Sequence, residues 1–421
     1  MADPRAGELA NAAVHAASTG NFPEAERLWR ELLRIDPRNP KALLSLGVHA
    51  LQRGDVNAGH SLLTSARAVA PGDLLILLTL SSACRLRGDT TGEREAIEAA
   101  LVVDAYYIPA LLARGNWHER AGNLAAASAN YANALKIAPP ASHWPESQRP
   151  QLEHARAVVD QYSAAQLKHI SEKVAELQAA LPSGVQARWK EAVNIVAGRA
   201  RPYFSECNQL HVPRLPAIPF YEREQFPWVA AIESKTAQIR DELAAALVAE
   251  RDKFNPYIAY RPGDPVNQWK ELNHSHRWSA YHLWRGGAPQ TDNLARCPQT
   301  AAALGQVQMA EIGGLCPNAM FSALAPHTTI PPHNGETNAR VVAHLPLIVP
   351  EGCIYRVGAD QRRWNVGEIL VFDDTIEHEA RNDSDELRVV LIFDVWNPLL
   401  SAAERSMVQA IVAATRTFGT E

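Results

Sequence analysis

The sequence lacks several features that would assign it to a specialised class of protein. Its five cysteines are widely spaced and include no Cys-x-x-Cys pair, which excludes a disulfide framework and a cysteine-rich zinc site. Its longest apolar run, Leu74 to Leu80, is far shorter than the roughly 20 residues that a membrane-spanning helix requires. Neither sign of charge dominates, since the formal net charge is −5 at pH 7. Nothing therefore favours a nucleic-acid partner.

The N-terminal residues also lack the apolar segment of a secretory signal peptide. We therefore expect a soluble, cytoplasmic protein without a membrane span, in which the cysteines are reduced and mostly buried. The 421 residues exceed what one hydrophobic core accommodates, so two or three domains are expected. Hydrophobic residues make up 47% of the chain and charged residues 21%, which is typical of a globular protein.

A period of 34 residues runs through the first third of the chain. In each copy a glycine that can end a helix in the left-handed conformation precedes Asn or Asp, and apolar columns keep the same register. This pattern resembles the tetratricopeptide repeat, a helical hairpin that stacks on its neighbours into an α-solenoid. Residues 5–140 contain four copies, whose turns are Gly20-Asn21, Gly54-Asp55, Gly88-Asp89 and Gly122-Asn123.

Stacked helical repeats leave a concave face that commonly binds a peptide or another protein. We therefore expect the array to recognise a peptide or protein substrate. The alternative is that the array is only a structural extension or a contact between subunits, because the sequence does not reveal the chemistry of the groove. The oligomeric state is likewise open.

The rest of the chain changes character twice. Amphipathic helices are predicted from Gln151 to about Leu181, from Val229 to Ala249, and from about Ser401 to Thr415. Between them lie short runs rich in β-branched and aromatic residues, separated by turn residues, which predict an antiparallel jelly roll. We predict a repeat array over 1–140, a helical linker over 141–210 and a β-barrel domain over 211–421. The predicted strands are Ala280–Trp284, Ala319–Leu324, Val341–Val349, Cys353–Val357, Glu368–Phe372 and Leu387–Trp396.

Three residues of the barrel region suggest chemistry. His333 and His378 lie 45 residues apart, and two neutral imidazoles brought together by a barrel are suitable ligands for ferrous iron. The alternative is that the two are unrelated surface or core histidines, because a spacing of this kind also arises by chance. Arg388 lies on an apolar strand, and a buried guanidinium needs an anionic partner such as the carboxylate of a cosubstrate. The alternative is an arginine that faces solvent or pairs with a structural acid.

The segments around these residues carry a family resemblance. Residues 211–400 resemble the aspartyl/asparaginyl β-hydroxylase family of Fe(II)- and 2-oxoglutarate-dependent dioxygenases, whose animal member also has helical repeats before its catalytic domain. The resemblance implies a double-stranded β-helix of the jelly-roll or cupin type, with Fe(II), 2-oxoglutarate and O₂ as the reactants that it uses. The segments that carry it are Pro332–Arg340, Val371–Glu379 and Phe393–Pro398.

The resemblance also implies a role for each matched residue. His333 and His378 would bind the iron, and the family has glycine, here Gly335, where related oxygenases have an acidic ligand. Asp374 would hold an iron-bound water, although a turn-capping role is equally compatible with its position. The remaining residues would bind the distal carboxylate of 2-oxoglutarate (Ser322, His344 and Arg388) or face the substrate (Trp278 and Arg340).

Two positions depart from the animal enzyme and bear on the substrate. Val342 stands where that enzyme has a second substrate arginine, and Ala280 replaces a polar contact. The family implies hydroxylation at the β-carbon of Asp or Asn in a peptide or protein. The two departures leave a small molecule or lipid headgroup as an alternative substrate, and a non-catalytic repeat adaptor remains a further alternative. His274 and His276 are predicted to lie in a loop at the mouth of the site.

Overall fold

The computed structural model describes residues 4–418. The chain divides into two compact units, Met1–Glu176 and Leu177–Glu421. The first unit is helical and the second contains two antiparallel β-sheets with flanking helices. The helical repeat array and the antiparallel β-structure that the sequence predicts are both confirmed.

The described residues of the repeat region form eight helices in four hairpins, because each odd-numbered helix packs on the helix that follows it. The helices are α1 (Pro4–Ser18), α2 (Phe22–Ile35), α3 (Pro40–Gln52), α4 (Val56–Val69), α5 (Leu74–Leu86), α6 (Thr90–Val103), α7 (Ile108–Arg120) and α8 (Leu124–Ile137). A longer helix, α9 (Arg149–Ala179), begins in the first unit and ends in the second.

The turn inside each hairpin is built in the same way four times. The glycines adopt the predicted left-handed conformation, with φ between 74° and 82° at Gly20, Gly54, Gly88 and Gly122. The Asn or Asp that follows caps the next helix, since its side chain accepts a hydrogen bond from a backbone N–H in the first turn of that helix. The sequence interpretation had assigned these polar residues only to the turn, and the structure gives them this additional role.

The second unit contains a large and a small sheet, and all strand pairs are antiparallel. The large sheet has the order β1-β2-β4-β11-β6-β9, with β3 paired to β2, and the small sheet has the order β5-β10-β7-β8. The strands are β1 (Asn255–Pro256), β2 (Trp278–Arg285), β3 (Ala288–Pro289), β4 (Ala319–Leu324), β5 (Thr328–His333), β6 (Arg340–Ile348), β7 (Cys353–Val357), β8 (Asp360–Arg362), β9 (Leu370–Phe372), β10 (His378–Asn382) and β11 (Arg388–Trp396).

The large sheet is covered on both faces. On β11, Val389, Leu391 and Phe393 belong to the core that contains residues of α11, α12 and α14, whereas Val390 belongs to the core that contains residues of the small sheet. Successive side chains of a strand point to opposite faces. Arg388 therefore lies on the same face as Val390, toward the small sheet. The helices of this unit are α10 (Ser183–Val196), α11 (Val229–Glu233), α12 (Thr236–Ala249), α13 (Thr291–Arg296), α14 (Pro298–Leu304) and α15 (Ala402–Thr417).

The predicted strands that are apolar agree with the structure, whereas some helices and the more polar strands differ from the prediction. The predicted helix Val229–Ala249 is two helices, α11 and α12, and two short helices, α13 and α14, interrupt the predicted run of strands. Strands β5 and β10, which carry the two histidines, were missed. None of the described helices is long and apolar enough to cross a membrane. The five cysteines are free, and four of them are buried.

Candidate active site

A cavity of about 450 Å³ lies in the second unit. It is lined by residues of the large sheet, from β2, β4, β6 and β11, and by residues of β5 and β10 in the small sheet. All eight residues singled out in the sequence line this one cavity: Trp278, Ser322, His333, Arg340, His344, Asp374, His378 and Arg388.

His333 and His378 are directly paired across strands β5 and β10. Their ring centroids lie 4.0 Å apart. The Nδ1 atom of His333 lies 2.8 Å from the carbonyl oxygen of Pro331, and that of His378 lies 3.1 Å from the carbonyl oxygen of Ile376. Because a carbonyl oxygen only accepts hydrogen bonds, both rings carry their proton on Nδ1, which leaves Nε2 as the unprotonated nitrogen of each neutral ring.

Burial keeps both imidazoles neutral. Desolvation lowers the pKa of His378 to about 4. Desolvation, followed by the proximity of His378, lowers the pKa of His333 to about 3. A metal ion binds a neutral imidazole and competes with a proton for it. At neutral pH the pair therefore needs no deprotonation before it can bind a cation.

The loops that carry the two histidines are fastened to each other. The backbone N–H of Gly335 donates to the carbonyl oxygen of Asp374 at 2.7 Å. The side-chain amide of Asn334 donates to the carbonyl oxygen of Thr375 at 2.8 Å. The carboxylate of Asp373 accepts hydrogen bonds from the backbone N–H and the hydroxyl of Thr375, which closes an Asx-type turn. This turn presents Asp374 to the cavity.

Arg388 is buried without a counterion. Its side chain is 1% exposed, and its Nε and Nη1 atoms have no hydrogen-bond partner within residues 4–418. The guanidinium lies over the ring of Trp364, at 4.6 Å from the ring centroid. Desolvation lowers the pKa of Arg388 to about 10. An anion that enters the cavity would supply the missing partner.

Ser322 and His344 lie on strands β4 and β6, which flank the strand of Arg388 in the large sheet. The indole N–H of Trp278 donates to the hydroxyl oxygen of Ser322 at 3.1 Å, so the hydroxyl hydrogen of Ser322 is free to be donated into the cavity. Burial, and then the charge of Arg388, lowers the pKa of His344 well below its usual value. We call Ser322, His344 and Arg388, the residues that the sequence resemblance assigns to 2-oxoglutarate, the cosubstrate end of the cavity.

Arg340 has partners that the sequence did not reveal. Its Nη1 atom lies 2.6 Å from Oδ1 of Asp374, and its Nε atom lies 3.3 Å from Oδ1 of Asp394. Its side chain is 6% exposed. Asp394 lines the cavity and accepts two hydrogen bonds from Asn318 through its other oxygen. We call Glu336, Arg340, Asp374 and Asp394 the acidic end of the cavity.

Gly335 and Asp374 occupy complementary space. A β-carbon added at Gly335 would overlap the carboxylate of Asp374. The position two residues after His333 is therefore small because a carboxylate from another loop fills the space beside it. The chain thus brings an acidic group near the histidine pair from Asp374 rather than from position 335.

Sequence reasoning missed the aromatic lining of the cavity. Tyr257 stacks on Trp278 with centroids 4.0 Å apart, and Trp269 packs on His333 at 5.0 Å. These residues precede the recognisable motifs and follow no strand period, so a single sequence gives no signal for them. His274 and His276, predicted to lie at the mouth, instead bond to the backbone carbonyls of Tyr260 and Phe254 and are not among the residues that line the cavity.

Two protein families match different parts of the chain. Residues 233–398 match the aspartyl/asparaginyl beta-hydroxylase family, and residues 10–59 match the tetratricopeptide repeat. The first match contains all eight of the residues named at the start of this section. The second match lies within the helical array.

Individual relatives match just under half of this chain. An ornithine lipid ester-linked acyl 2-hydroxylase from Rhizobium tropici is 35% identical over 203 residues, which are 48% of this chain and 68% of that protein. The aspartyl/asparaginyl beta-hydroxylase of Mus musculus is 31% identical over 185 residues, 44% of this chain and 23% of that protein. Among solved structures, the MamA protein is 19% identical with a TM-score of 0.32, covering 42% of this chain and 98% of that chain.

The contact between Gly335 and Asp374 can be tested by a double-mutant cycle. Gly335→Ala should lower the free energy of unfolding by about 1–3 kcal/mol, because the new methyl group overlaps a carboxylate that is held by Arg340. The same substitution in an Asp374→Ala background should have a much smaller effect, because the space is then open. Denaturant unfolding of the unchanged protein, the two single variants and the double variant measures both changes in the free energy of unfolding. Additive effects would show that the two residues do not compete for space.

Proposed function

Because the chain belongs to the aspartyl/asparaginyl β-hydroxylase family, we propose that its second unit is an Fe(II)- and 2-oxoglutarate-dependent dioxygenase that hydroxylates a C–H bond. The observation that carries this proposal is the pairing of two features in one cavity. A pair of neutral imidazoles, each held at Nδ1 by a backbone carbonyl, lies in the same cavity as a buried guanidinium whose Nε and Nη1 atoms have no hydrogen-bond partner in the described part of the chain. The first feature suits a transition metal and the second suits a dicarboxylate.

The histidine pair fits ferrous iron. Imidazole nitrogen is a favourable ligand for iron, and a hydrogen bond from the other ring nitrogen to a backbone carbonyl is the usual support for a metal-binding histidine. His333 and His378 both have that support. Asp374, whose carbonyl accepts a hydrogen bond from Gly335 and whose residue lines the same cavity, would accept a hydrogen bond from a water on the metal.

The cosubstrate end fits the distal carboxylate of 2-oxoglutarate. Arg388 offers N–H groups in a fork that matches a carboxylate, and its aromatic surroundings exclude water that would otherwise compete. The Ser322 hydroxyl, oriented by Trp278, would donate to the same carboxylate. His344 has an unpaired Nδ1 atom in the described structure and would complete the contact.

In such a site the iron, together with 2-oxoglutarate and O₂, supplies the oxidising power, and the products are succinate, CO₂ and a hydroxylated substrate. The residues of this chain hold the reactants in place. Arg388, Ser322 and His344 would orient the cosubstrate, and His333 and His378 would hold the metal in the same cavity. The aromatic residues Tyr257, Trp269 and Trp278 form a wall that limits the entry of water.

The first candidate substrate is the β-carbon of Asp or Asn in a peptide or protein, presented by the repeat array. A groove of about 420 Å³ in the first unit supports it, because this groove is lined by polar and aromatic residues from α5, α7, α8 and α9. Concave faces of this kind are commonly used to bind an extended or helical segment.

The second candidate is a small molecule or a lipid headgroup. It is favoured by the state of Arg340, which pairs with Asp374 and Asp394 and so is not free to bind a substrate carboxylate. Val342, where the animal enzyme has a second arginine, offers no replacement. The relative from Rhizobium tropici is named as an ornithine lipid ester-linked acyl 2-hydroxylase, so a lipid, modified on its acyl chain, is a precedent for a non-protein substrate within the family. A non-catalytic adaptor is disfavoured because it would have no use for an unpaired, buried Arg388.

The metal assignment predicts that His378→Ala and His333→Ala abolish the retention of iron. Each variant leaves one imidazole, which cannot hold the metal through desalting. Metal analysis of protein loaded without O₂ measures this directly. His274→Ala and His276→Ala are matched controls outside the cavity and should retain iron as the unchanged protein does. Full iron occupancy in His378→Ala would rule out the assignment.

The cosubstrate assignment predicts opposite effects of Arg388→Met on stability and on binding. Without 2-oxoglutarate the variant should unfold at the same or a higher denaturant concentration, because it removes an uncompensated buried charge. Its affinity for 2-oxoglutarate should fall by about 10- to 100-fold, the equivalent of roughly 1.5–3 kcal/mol for a charged hydrogen bond. Calorimetric titration measures the affinity. A variant that is destabilised but binds 2-oxoglutarate normally would make Arg388 a structural residue.

The choice between the two substrates can be made by filling the groove of the repeat array. Ser82 lines this groove, whereas Ser65 is exposed and does not line it. If the array presents a protein substrate, Ser82→Trp should lower coupled hydroxylation of that substrate by about 10-fold or more and leave 2-oxoglutarate binding unchanged. Ser65→Trp should affect neither. Equal coupled rates for both variants and the unchanged protein would favour the small-molecule or lipid substrate.

A further inference from the structure

The acidic end of the cavity has more negative than positive charge. It contains three carboxylates, on Glu336, Asp374 and Asp394, and one guanidinium, on Arg340. In residues 4–418, the other cationic side chains that line the cavity are Arg388, at the cosubstrate end, and Arg285, which is exposed. With all three acids ionised, two negative charges at this end are not balanced by a neighbouring cation.

Arg340 does not neutralise Glu336. The closest approach of the Glu336 carboxylate to the guanidinium is 3.9 Å, whereas Asp374 is in contact at 2.6 Å. The other partner of Glu336 is a long hydrogen bond of 3.3 Å from the side-chain amide of Gln209. The Glu336 side chain is 40% exposed. It therefore lines the cavity as a carboxylate that a ligand can reach.

An aromatic wall of the same cavity suits a cation as well. Tyr257, Trp269 and Trp278 line the same cavity, and their rings pack in series with centroids 4.0 Å and 5.9 Å apart. Tyr257 is 40% exposed and Trp278 is buried, so the wall extends from the surface into the cavity. Aromatic faces attract ammonium and guanidinium groups, most strongly where water is partly excluded.

We propose that the acidic end binds a positively charged group of the substrate, an alkylammonium or a guanidinium, with Glu336 as the direct contact and the aromatic wall beside it. This inference rests on the proposed function, because it concerns the substrate of that same site. A substrate with a free carboxylate at this end would add a fourth negative charge next to three acids and one arginine. Such like-charge contacts oppose binding.

The contribution of each residue follows from its contacts. Asp394 and Asp374 keep Arg340 in place, and Arg340 keeps their carboxylates from turning toward the substrate. Glu336 is the acid that remains available. A cation of the substrate would thus bind to the exposed carboxylate of Glu336, while the buried ion pairs of Arg340 stay unchanged.

Three matched ligands test the inference with the full chain, loaded with iron and 2-oxoglutarate in the absence of O₂. They are the methylamides of N-octanoyl-ornithine, N-octanoyl-norvaline and N-octanoyl-glutamate, which end in an ammonium, a methyl group and a carboxylate. Isothermal titration should give the tightest binding for the ammonium ligand, about 10-fold tighter than for the methyl ligand, and the weakest for the carboxylate ligand. Equal affinities, or tighter binding of the carboxylate, would overturn the inference.

Substitution of Glu336 locates the effect. Glu336→Gln should remove most of the preference for the ammonium ligand and leave the affinity for the methyl ligand unchanged. Glu351→Gln, at an exposed turn position outside the cavity, should keep the preference. A preference that survives Glu336→Gln in full would contradict the role of this carboxylate.

Two further titrations separate a failure of this inference from a failure of the proposed function, and an acylated substrate from a peptide. Titration of 2-oxoglutarate in the same samples reports on the proposed function: if it does not bind, the proposed function fails, whereas normal binding without a preference for the ammonium ligand makes only the present inference fail. The acetyl forms of the three ligands identify the source of the cation. A preference that needs the octanoyl chain indicates an acylated substrate, and one that the acetyl forms retain indicates a basic side chain of a peptide.

Discussion

Burying a guanidinium without a counterion costs several kcal/mol, and the geometry of the second unit gives Arg388 no way to avoid that cost. Strand β11 is central in the large sheet, and its side chains alternate between the core that contains α11, α12 and α14 and the face that carries the cavity. Arg388 faces the cavity because Val389, next to it, packs against the helices. The fold therefore maintains a site that is incomplete without an anion.

The two ends of the cavity differ in how the charge of their arginine is compensated. At the cosubstrate end a single cation has no partner, and the surroundings are aromatic or neutral. At the acidic end a cation has two close partners and a third acid beyond them. The histidine pair is connected to both environments, because Phe372 contacts the rings of His344 and His378 and the carbonyl of Asp374 accepts a hydrogen bond from Gly335, two residues after His333. Two ligands of different charge can therefore be held in one cavity by different residues.

Much of this arrangement could be predicted from the sequence, and the failures have physical causes. The strands of the large sheet were recognised because they are buried on both faces and read as continuous apolar runs. Strands β5 and β10 were missed because Pro331 and Pro332 interrupt the first, and Glu377 and Glu379 flank His378 in the second. The partners of Arg340 could not be read from sequence, because Asp374 and Asp394 come from other parts of the chain and only the folded sheet brings them to it.

The hydrogen bonds between the loops of His333 and His378 also affect how the site can open. Gly335 and Asn334 donate to the backbone of the loop that precedes His378, so neither loop can detach without breaking bonds to the other. Local unfolding would then expose both histidines in a single step, as one cooperative unit. The lifetime of a bound metal would be set by the rate of that joint opening rather than by the successive release of one ligand and then the next.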